Sequence, residues 1–288
     1  MRPRALRARI FLDGGDPAGT RRVQAALGFL DGQTTNPTLM AKSPLAAAKL
    51  AEGGRFTPSE VMDFYRQVAR EMAGLIPEGS VSIEVPADRD TSAEEMIGQG
   101  RSLFAWIPNA HVKLPITRAG LEAAKALVAQ GVRVNMTLCF TQEQAAAVYA
   151  ATAGAGPGQV FISPFIGRLD DRGENGLDLI AGIARMYAGG DGHVALLAAS
   201  VRGQGHFLGS LALGADIVTA PESVLLDWAE KGLPLPGPEY ACESSDLRPI
   251  AFLDIPLARR PEEYDISSDL TDQGLERFAS DWNALIAR

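Results

Sequence analysis

The feature that most limits the fold of this chain is a regular alternation of short apolar runs with amphipathic stretches. Eight runs are rich in β-branched residues and predict strands, at residues 9–13, 33–36, 81–85, 111–115, 132–139, 160–165, 194–200 and 216–220. Between most of them apolar residues recur at spacings of three and four, which is typical of helices that cover a sheet. Near-continuous apolar strands alternating with helices predict an α/β fold with parallel strands, and eight such units favour a closed (β/α)8 TIM barrel.

The start of the chain fits this pattern as its first βα unit. A helix is predicted at residues 17–30, with Asp16 as its N-cap and Pro17 at its first position. A chain of 288 residues suits one barrel, so we expect a single domain over residues 1–288.

The regular alternation stops after the eighth predicted strand. Residues 232–267 hold several prolines and acidic residues without a clear period, and they predict an irregular ordered insertion that is either a lid over the barrel mouth or a subunit contact. A C-terminal helix is expected at about 270–286, capped by Ser268 or Asp269. Its apolar stripe predicts docking, and an apolar tail helix also favours packing on a neighbouring subunit.

Composition limits the partners of the chain. The net charge is −8, with 27 basic and 35 acidic residues that are scattered, so a nucleic-acid partner is not expected. The apolar runs are shorter than the ~18 residues that span a bilayer, so no membrane contact is expected. Free thiols in a reducing compartment explain Cys139 and Cys242 as well as a disulfide bridge does, which favours the cytoplasm. The histidines and cysteines are too scattered for a metal site, and no cofactor is indicated.

Polar side chains share one parity in the predicted strands, which points them into the barrel interior. Most of them lie toward the C-terminal strand ends, where barrels of this kind carry their chemistry. The residues of this parity are Phe11, Asp13, Thr34, Asn36, Ser82, Glu84, His111, Lys113, Asn135, Thr137, Ser163, Phe165, Ser200 and Arg202.

Lys113 is the candidate nucleophile of this interior. A poorly hydrated lysine has a lowered pKa, which frees its lone pair to attack a carbonyl and form a Schiff base. Glu84 and Thr137 on the neighbouring strands bracket Lys113 and are suited to hold the water that carries protons during this reaction. The alternatives are a lysine at a fraying edge and a Glu84 that only neutralises Lys113 in a buried ion pair.

Asp13 ends the first strand and is followed by two glycines, so its carboxylate is accessible to a substrate. The alternative is a helix cap, a role for which Asp16 is already available. Thr34, Asn36 and Ser163 supply neutral hydrogen bonds suited to sugar hydroxyls, although satisfied polar groups of a barrel core have the same pattern.

Two arginines follow the sixth and seventh predicted strands and suit a phosphate group. Arg168 and Arg202 offer fixed guanidinium donors where TIM barrels bind phosphate. The alternative for Arg168 is a surface ion pair with Asp170 or Asp171.

Several motifs in one order resemble the transaldolase family, which also includes fructose-6-phosphate aldolases. They are DGQTTNPTLMAKS at 31–43, VSIEV at 81–85, VKLPIT at 112–117, VNMTLCF at 134–140, ISPFIGRLDD at 162–171, AASVR at 198–202 and TDQGLERFASDW at 271–282. The resemblance implies a (β/α)8 barrel with a Schiff-base lysine on the fourth strand, and a homo-oligomer. The chain departs from the family's pattern at residues 13–15 (DGG) and in the length of the segment at residues 232–267.

The resemblance also implies a role for each matching residue. Lys113 resembles the imine-forming lysine, Glu84 and Thr137 the pair that holds the catalytic water, and Asp13 the acid/base at the C4 hydroxyl. Thr34, Asn36, Asn135 and Ser163 match positions that contact the donor hydroxyls or position the lysine. Arg168, Ser200 and Arg202 match phosphate-binding positions.

The resemblance implies transfer of a dihydroxyacetone unit between sugar phosphates. Fructose-6-phosphate aldolases are implied to carry Gln where this chain has Glu84 and Tyr where it has Phe165. The expected activity is therefore that of a transaldolase, acting on sedoheptulose 7-phosphate or fructose 6-phosphate with glyceraldehyde 3-phosphate or erythrose 4-phosphate. The alternatives are an aldolase that releases dihydroxyacetone and a catalytically silent barrel that binds sugar phosphates.

Overall fold

A computed structural model describes residues 1–237, 239, 240, 242 and 246–287 of the chain. Within these residues eight parallel strands close into a barrel in sequence order, which confirms the predicted TIM barrel. The strands are β1 (Arg9–Asp13), β2 (Gly32–Thr34), β3 (Ser80–Glu84), β4 (Ala110–Pro115), β5 (Val134–Cys139), β6 (Val160–Pro164), β7 (Val194–Ala198) and β8 (Ile217–Ala220).

Helices surround the barrel. They are α1 (Pro17–Leu27), α2 (Pro37–Ala41), α3 (Pro44–Ala51), α4 (Pro58–Leu75), α5 (Ala93–Phe104), α6 (Arg118–Val128), α7 (Gln142–Ala151), α8 (Ile166–Asp170), α9 (Gly176–Tyr187), α10 (Gln204–Ala212), α11 (Glu222–Glu230) and α12 (Asp269–Asn283), with a 3₁₀ turn at Pro261–Glu263. Two of these helices, α2 and α12, lie at the mouth of the barrel. Among the described residues, no helix has the length and apolar character that a bilayer span requires.

The first helix begins as predicted but ends earlier. The Asp16 side chain accepts a hydrogen bond from the Ala18 backbone N–H at 3.0 Å, and Pro17 occupies the first turn. The helix ends at Leu27 and not at residue 30, because Gly28 has a φ of 74° and stops it in the left-handed conformation.

A layer of rings fills the barrel interior below the polar residues. The rings of His111 and Phe161 stack with centroids 3.9 Å apart, and Phe11 meets Phe161 edge-on at 6.1 Å. All three are buried, and burial lowers the pKa of His111 to about 3. Asp13, Lys113 and Ser163 each lie two residues after one of these rings on the same strand, so they point into the same interior. The ring layer therefore closes the interior beneath the polar groups.

The described part of the 232–267 insertion runs over the outer helices. The Gln142 side chain of α7 donates to Ala251 O and accepts from the Leu253 N–H, and Arg118 of α6 donates to Pro261 O and Tyr264 O. Residues 238, 241 and 243–245 of the insertion lie outside the described residues. The described part of the insertion lies against these helices and contributes no residue to the cavity at the mouth.

The C-terminal helix α12 docks on the chain's own barrel. The Ser268 side chain caps it, and Leu275, Phe278 and Trp282 of its apolar stripe are buried. The tail that follows pairs with Phe56, which donates to Leu285 O and accepts from the Ala287 N–H, both at 2.8 Å. The stripe is therefore covered within one chain, so it gives no support for packing of α12 on a neighbouring subunit.

A substitution at Gly120 tests how tightly the end of β4 is packed. A Cβ at Gly120 would lie 1.9 Å from the backbone oxygen of Pro115, two residues after Lys113, so alanine forces the end of the strand to move. We expect Gly120→Ala to lower the free energy of unfolding by about 3 kcal/mol in urea titrations. Gly98→Ala is the control, since Gly98 lies in α5 with no atom near its Cβ position and should be neutral or stabilising. Equal stability of both variants would contradict this packing.

Candidate active site

A cavity of about 150 Å³ opens at the C-terminal ends of the strands and collects most of the predicted site residues. Nine of them line it, namely Asp13, Thr34, Asn36, Lys113, Ser163, Phe165, Arg168, Ser200 and Arg202. Glu84, Asn135 and Thr137 do not line it and are buried beside Lys113. The inward parity read from the strands thus brings the predicted groups to one place.

Lys113 lies at the centre of these residues, and it is 3% exposed. Its Nζ donates to Thr35 O at 2.8 Å, and Glu84 Oε2 lies 2.9 Å from Nζ. The ion pair follows from the register, because Glu84 and Lys113 are direct partners across β3 and β4. The amine therefore has fixed neighbours and almost no contact with solvent, unlike a lysine at a fraying edge.

Glu84 and Thr137 each carry a buried oxygen without a hydrogen-bond partner among the described residues. These atoms are Glu84 Oε2, which contacts Lys113 only as an ion pair, and Thr137 Oγ1. Burial raises the pKa of Glu84, and the charge of Lys113 opposes this shift. Buried polar atoms usually have partners, so a small polar molecule is expected here.

Asp13 approaches Lys113 from β1. The Thr34 hydroxyl donates to Asp13 Oδ1 at 2.8 Å and shares a hydrogen bond with Thr219 at 2.7 Å. Burial raises the pKa of Asp13, while the nearby Lys113 and the Thr34 hydrogen bond lower it. Asp16 caps α1, so the alternative interpretation of Asp13 as the cap is wrong.

The neutral residues of the site are divided between two arrangements. Ser163 Oγ donates to Asn135 Oδ1 at 2.7 Å, and Asn135 Nδ2 donates to Ser82 Oγ at 3.0 Å, which fixes a chain of polar groups beside Lys113. Asn36 caps α2, since its Oδ1 accepts from the Leu39 N–H at 2.9 Å. The amide nitrogen of Asn36 forms no hydrogen bond with the described residues and is left to meet a ligand.

Arg168 and Arg202 both line the cavity, and their charges interact. Gly167 lets Arg202 lie close to the start of α8, because a Cβ there would lie 2.4 Å from Arg202 Nε. Arg202 Nη2 donates to Asp171 Oδ2 at 2.7 Å. Arg168 is half-buried and forms no ion pair or hydrogen bond with the described residues, so the alternative of a surface ion pair with Asp170 or Asp171 is wrong.

Sequence reasoning missed Tyr65 on α4, which supports the site from the helix layer. The Tyr65 hydroxyl accepts a hydrogen bond from the Glu84 backbone N–H at 2.8 Å and shares another with Thr35 Oγ1 at 2.8 Å. It thereby joins the strand of Glu84 to the residue whose carbonyl holds Lys113. Tyr65 is fully buried within the apolar stripe of α4, so nothing in the pattern separates it from an ordinary core residue.

Arg277 and Thr219 also line the cavity and were not predicted. Thr219 lies on β8, for which no inward polar residue was inferred, and Arg277 lies on α12. Burial lowers the pKa of Arg168, and the positive charge of Arg277 adds to this shift. The motif at 271–282 contains Arg277, but its position over the cavity depends on how α12 docks.

Comparisons with known proteins agree with this arrangement. Residues 10–288 match the family model described as transaldolase/fructose-6-phosphate aldolase. Proteins named probable transaldolase are similar over almost the whole chain. The one from Paracoccus denitrificans is 36% identical, covering 95% of this chain and 96% of its own. Those from Cereibacter sphaeroides and a Caulobacter species are 38% and 37% identical, each covering 95% of both chains. The chain belongs to the transaldolase/fructose-6-phosphate aldolase family.

Proposed function

We propose that this protein is a transaldolase that transfers a dihydroxyacetone unit from a ketose phosphate to an aldose phosphate. The donors are sedoheptulose 7-phosphate or fructose 6-phosphate, and the acceptors are glyceraldehyde 3-phosphate or erythrose 4-phosphate. The observation that carries the proposal is one cavity that holds a buried lysine, Lys113, and an arginine, Arg168, that forms no ion pair within the described part of the chain. The first suits a carbonyl and the second suits a phosphate.

The reaction begins at Lys113. Glu84 takes a proton from the Lys113 amine, and Nζ then attacks the C2 carbonyl of the ketose to form a carbinolamine, which loses water to give an iminium ion. Glu84, 2.9 Å from Nζ, is placed to take up and return protons. A water between Glu84 and Thr137 completes this relay and gives a hydrogen-bond partner to Thr137 Oγ1, which has none among the described residues.

Asp13 then acts on the C4 hydroxyl. It removes the hydroxyl proton, the C3–C4 bond breaks, and its electrons pass into the iminium group, which becomes an enamine. The aldose phosphate leaves with a new aldehyde at the former C4. The Thr34 hydrogen bond at 2.8 Å holds the Asp13 carboxylate in place for this step. Because the iminium is the electron sink, the proposed reaction needs no metal or cofactor.

The enamine next adds to the aldehyde of the acceptor, and Asp13 returns the proton to the new hydroxyl. Water then hydrolyses the iminium and releases the ketose product and free Lys113. Donor and acceptor both carry phosphate, so Arg168, Arg202 and Ser200 bind them in turn. Ser163, Asn135 and the amide nitrogen of Asn36 are the groups that bind the donor hydroxyls or hold Lys113.

Two residues favour transfer over release of dihydroxyacetone. Glu84 provides a carboxylate and Phe165 an apolar ring, where the aldolases of the family are implied to have Gln and Tyr. Phe165 packs against Phe140 with ring centroids 5.9 Å apart and adds no hydroxyl to the cavity. We infer that the enamine is kept from protonation long enough to meet the acceptor.

The proposal is tested by following fructose 6-phosphate with and without erythrose 4-phosphate. We expect sedoheptulose 7-phosphate and glyceraldehyde 3-phosphate in equal amounts when both are present, and little free dihydroxyacetone without the acceptor. Dihydroxyacetone formed at the same rate without acceptor would favour the aldolase alternative. Binding of fructose 6-phosphate without any turnover would favour the silent barrel, and either result contradicts the proposal.

A further inference from the structure

Arg277 is a third arginine at the phosphate end of the cavity, and it reaches this place from the C-terminal helix α12. Its side chain is 56% exposed, and its Nε lies 3.8 Å from Asp281 Oδ2 one turn further along the helix. This pair is long and solvent-exposed, so it holds the guanidinium only weakly. Arg277 can therefore turn toward a ligand at little cost.

The charges around Arg168 favour an anionic ligand beside it. Burial lowers the pKa of Arg168, the positive charges of Arg277 and Arg202 add to this shift, and the charge of Asp171 opposes it. Asp171 already pairs with Arg202, and Asp281 also accepts a hydrogen bond from the Thr38 hydroxyl. Three guanidinium groups thus line one cavity, and of these Arg168 forms no ion pair with the described residues.

The helix α12 packs close to Arg168 because it has a glycine, Gly274, at the point of contact. A Cβ at Gly274, one turn before Arg277, would lie 2.6 Å from Leu138 Cδ2 and 3.4 Å from Arg168 Nη1. Any larger residue at Gly274 would therefore push the helix away from the cavity. The contact of Thr38 with Asp281 joins α12 to α2 on the other side of the mouth.

We propose that Arg277 binds the substrate phosphate as a third cationic ligand, together with Arg168 and Arg202. This proposal rests on the proposed function and extends it, because it makes α12 a specificity element for phosphorylated sugars. A phosphate dianion accepts several charge-assisted hydrogen bonds and matches the planar donors of guanidinium groups. When it binds, Arg277 exchanges its long contact with Asp281 for a direct contact with the phosphate.

The test compares Arg277→Gln with Lys231→Gln. Lys231 is an equally exposed cation with an i,i+4 ion pair, to Asp227, and it lies outside the cavity. We expect Arg277→Gln to raise KM for fructose 6-phosphate and Kd for inorganic phosphate by about tenfold, with kcat little changed. Neither constant should change in Lys231→Gln, and Arg277→Lys should recover part of the loss.

Turnover of unphosphorylated fructose separates recognition from structure. If Arg277 binds phosphate, kcat/KM for fructose stays at the wild-type level in Arg277→Gln. An equal loss with both sugars, or an unchanged Kd for inorganic phosphate, would overturn the proposal. A wild-type protein without any turnover would instead contradict the proposed function, while calorimetry with inorganic phosphate still decides the role of Arg277.

Discussion

Replacing Lys113 by methionine is expected to lower the turnover of fructose 6-phosphate with erythrose 4-phosphate by about 10⁴-fold or more. Methionine keeps the length and apolar part of the side chain but has no amine, so no iminium can form and C3–C4 cleavage has no electron sink. Glu84 loses its ion pair in this variant. Burial already raises the pKa of Glu84, which allows it to take up a proton in place of an uncompensated charge.

Two further variants separate chemistry from charge and from folding. Lys113→Arg keeps a cation beside Glu84 but has no nucleophile, so we expect it to be as inactive as Lys113→Met. Lys125→Met removes an exposed lysine on α6 and should keep full activity. Initial rates are measured together with circular dichroism and thermal unfolding. Folded Lys113 variants with rates near the wild-type value would end the Schiff-base account.

Replacing Asp13 by asparagine is expected to lower kcat by about 10³-fold, because the C4 hydroxyl loses its general base. Asparagine preserves the size of the side chain and accepts the hydrogen bond from Thr34. Iminium formation at Lys113 does not require Asp13, so borohydride should still trap substrate on this variant. Asp16→Asn is the matched control, since asparagine also caps helices and activity should be unchanged.

The pH dependence of kcat gives a second measure of Asp13. The base acts when deprotonated, so activity is lost as the pH falls through the pKa of Asp13. Burial raises this pKa above the ordinary value of 3.8, and the acid limb should therefore lie at a higher pH than a free aspartate gives. A Thr34→Val variant loses a hydrogen bond that lowers this pKa, and its acid limb should move further upward. An acid limb unchanged in Asp13→Asn would exclude Asp13 as the base.

The barrel and the centre of its site could be predicted because both depend on local periodicity. Strand parity alone pointed Asp13, Lys113 and Ser163 to one interior, and the register of β3 and β4 then pairs Glu84 with Lys113. In a barrel strand each side chain points either to the interior or to the helix layer. Once the barrel is recognised, the alternation along each strand is therefore sufficient to predict which residues face the interior.

The remaining features depend on tertiary packing, which leaves little trace in a single sequence. Asn36 was predicted to bind sugar hydroxyls but also caps α2, a short helix that no periodicity indicates. Tyr65 has the spacing of a core residue, and its role comes from the polar end of its ring. Arg277 reaches the cavity only because Gly274 lets α12 lie close to Arg168.

Borohydride reduction during turnover tests the central claim most directly. Protein mixed with fructose 6-phosphate and sodium borohydride is digested, and the peptides are identified by mass spectrometry. We predict one modified peptide, with a reduced dihydroxyacetone unit on the Nζ of Lys113 and concurrent loss of activity. Active protein that gains no label, or a label confined to another lysine, would contradict the account.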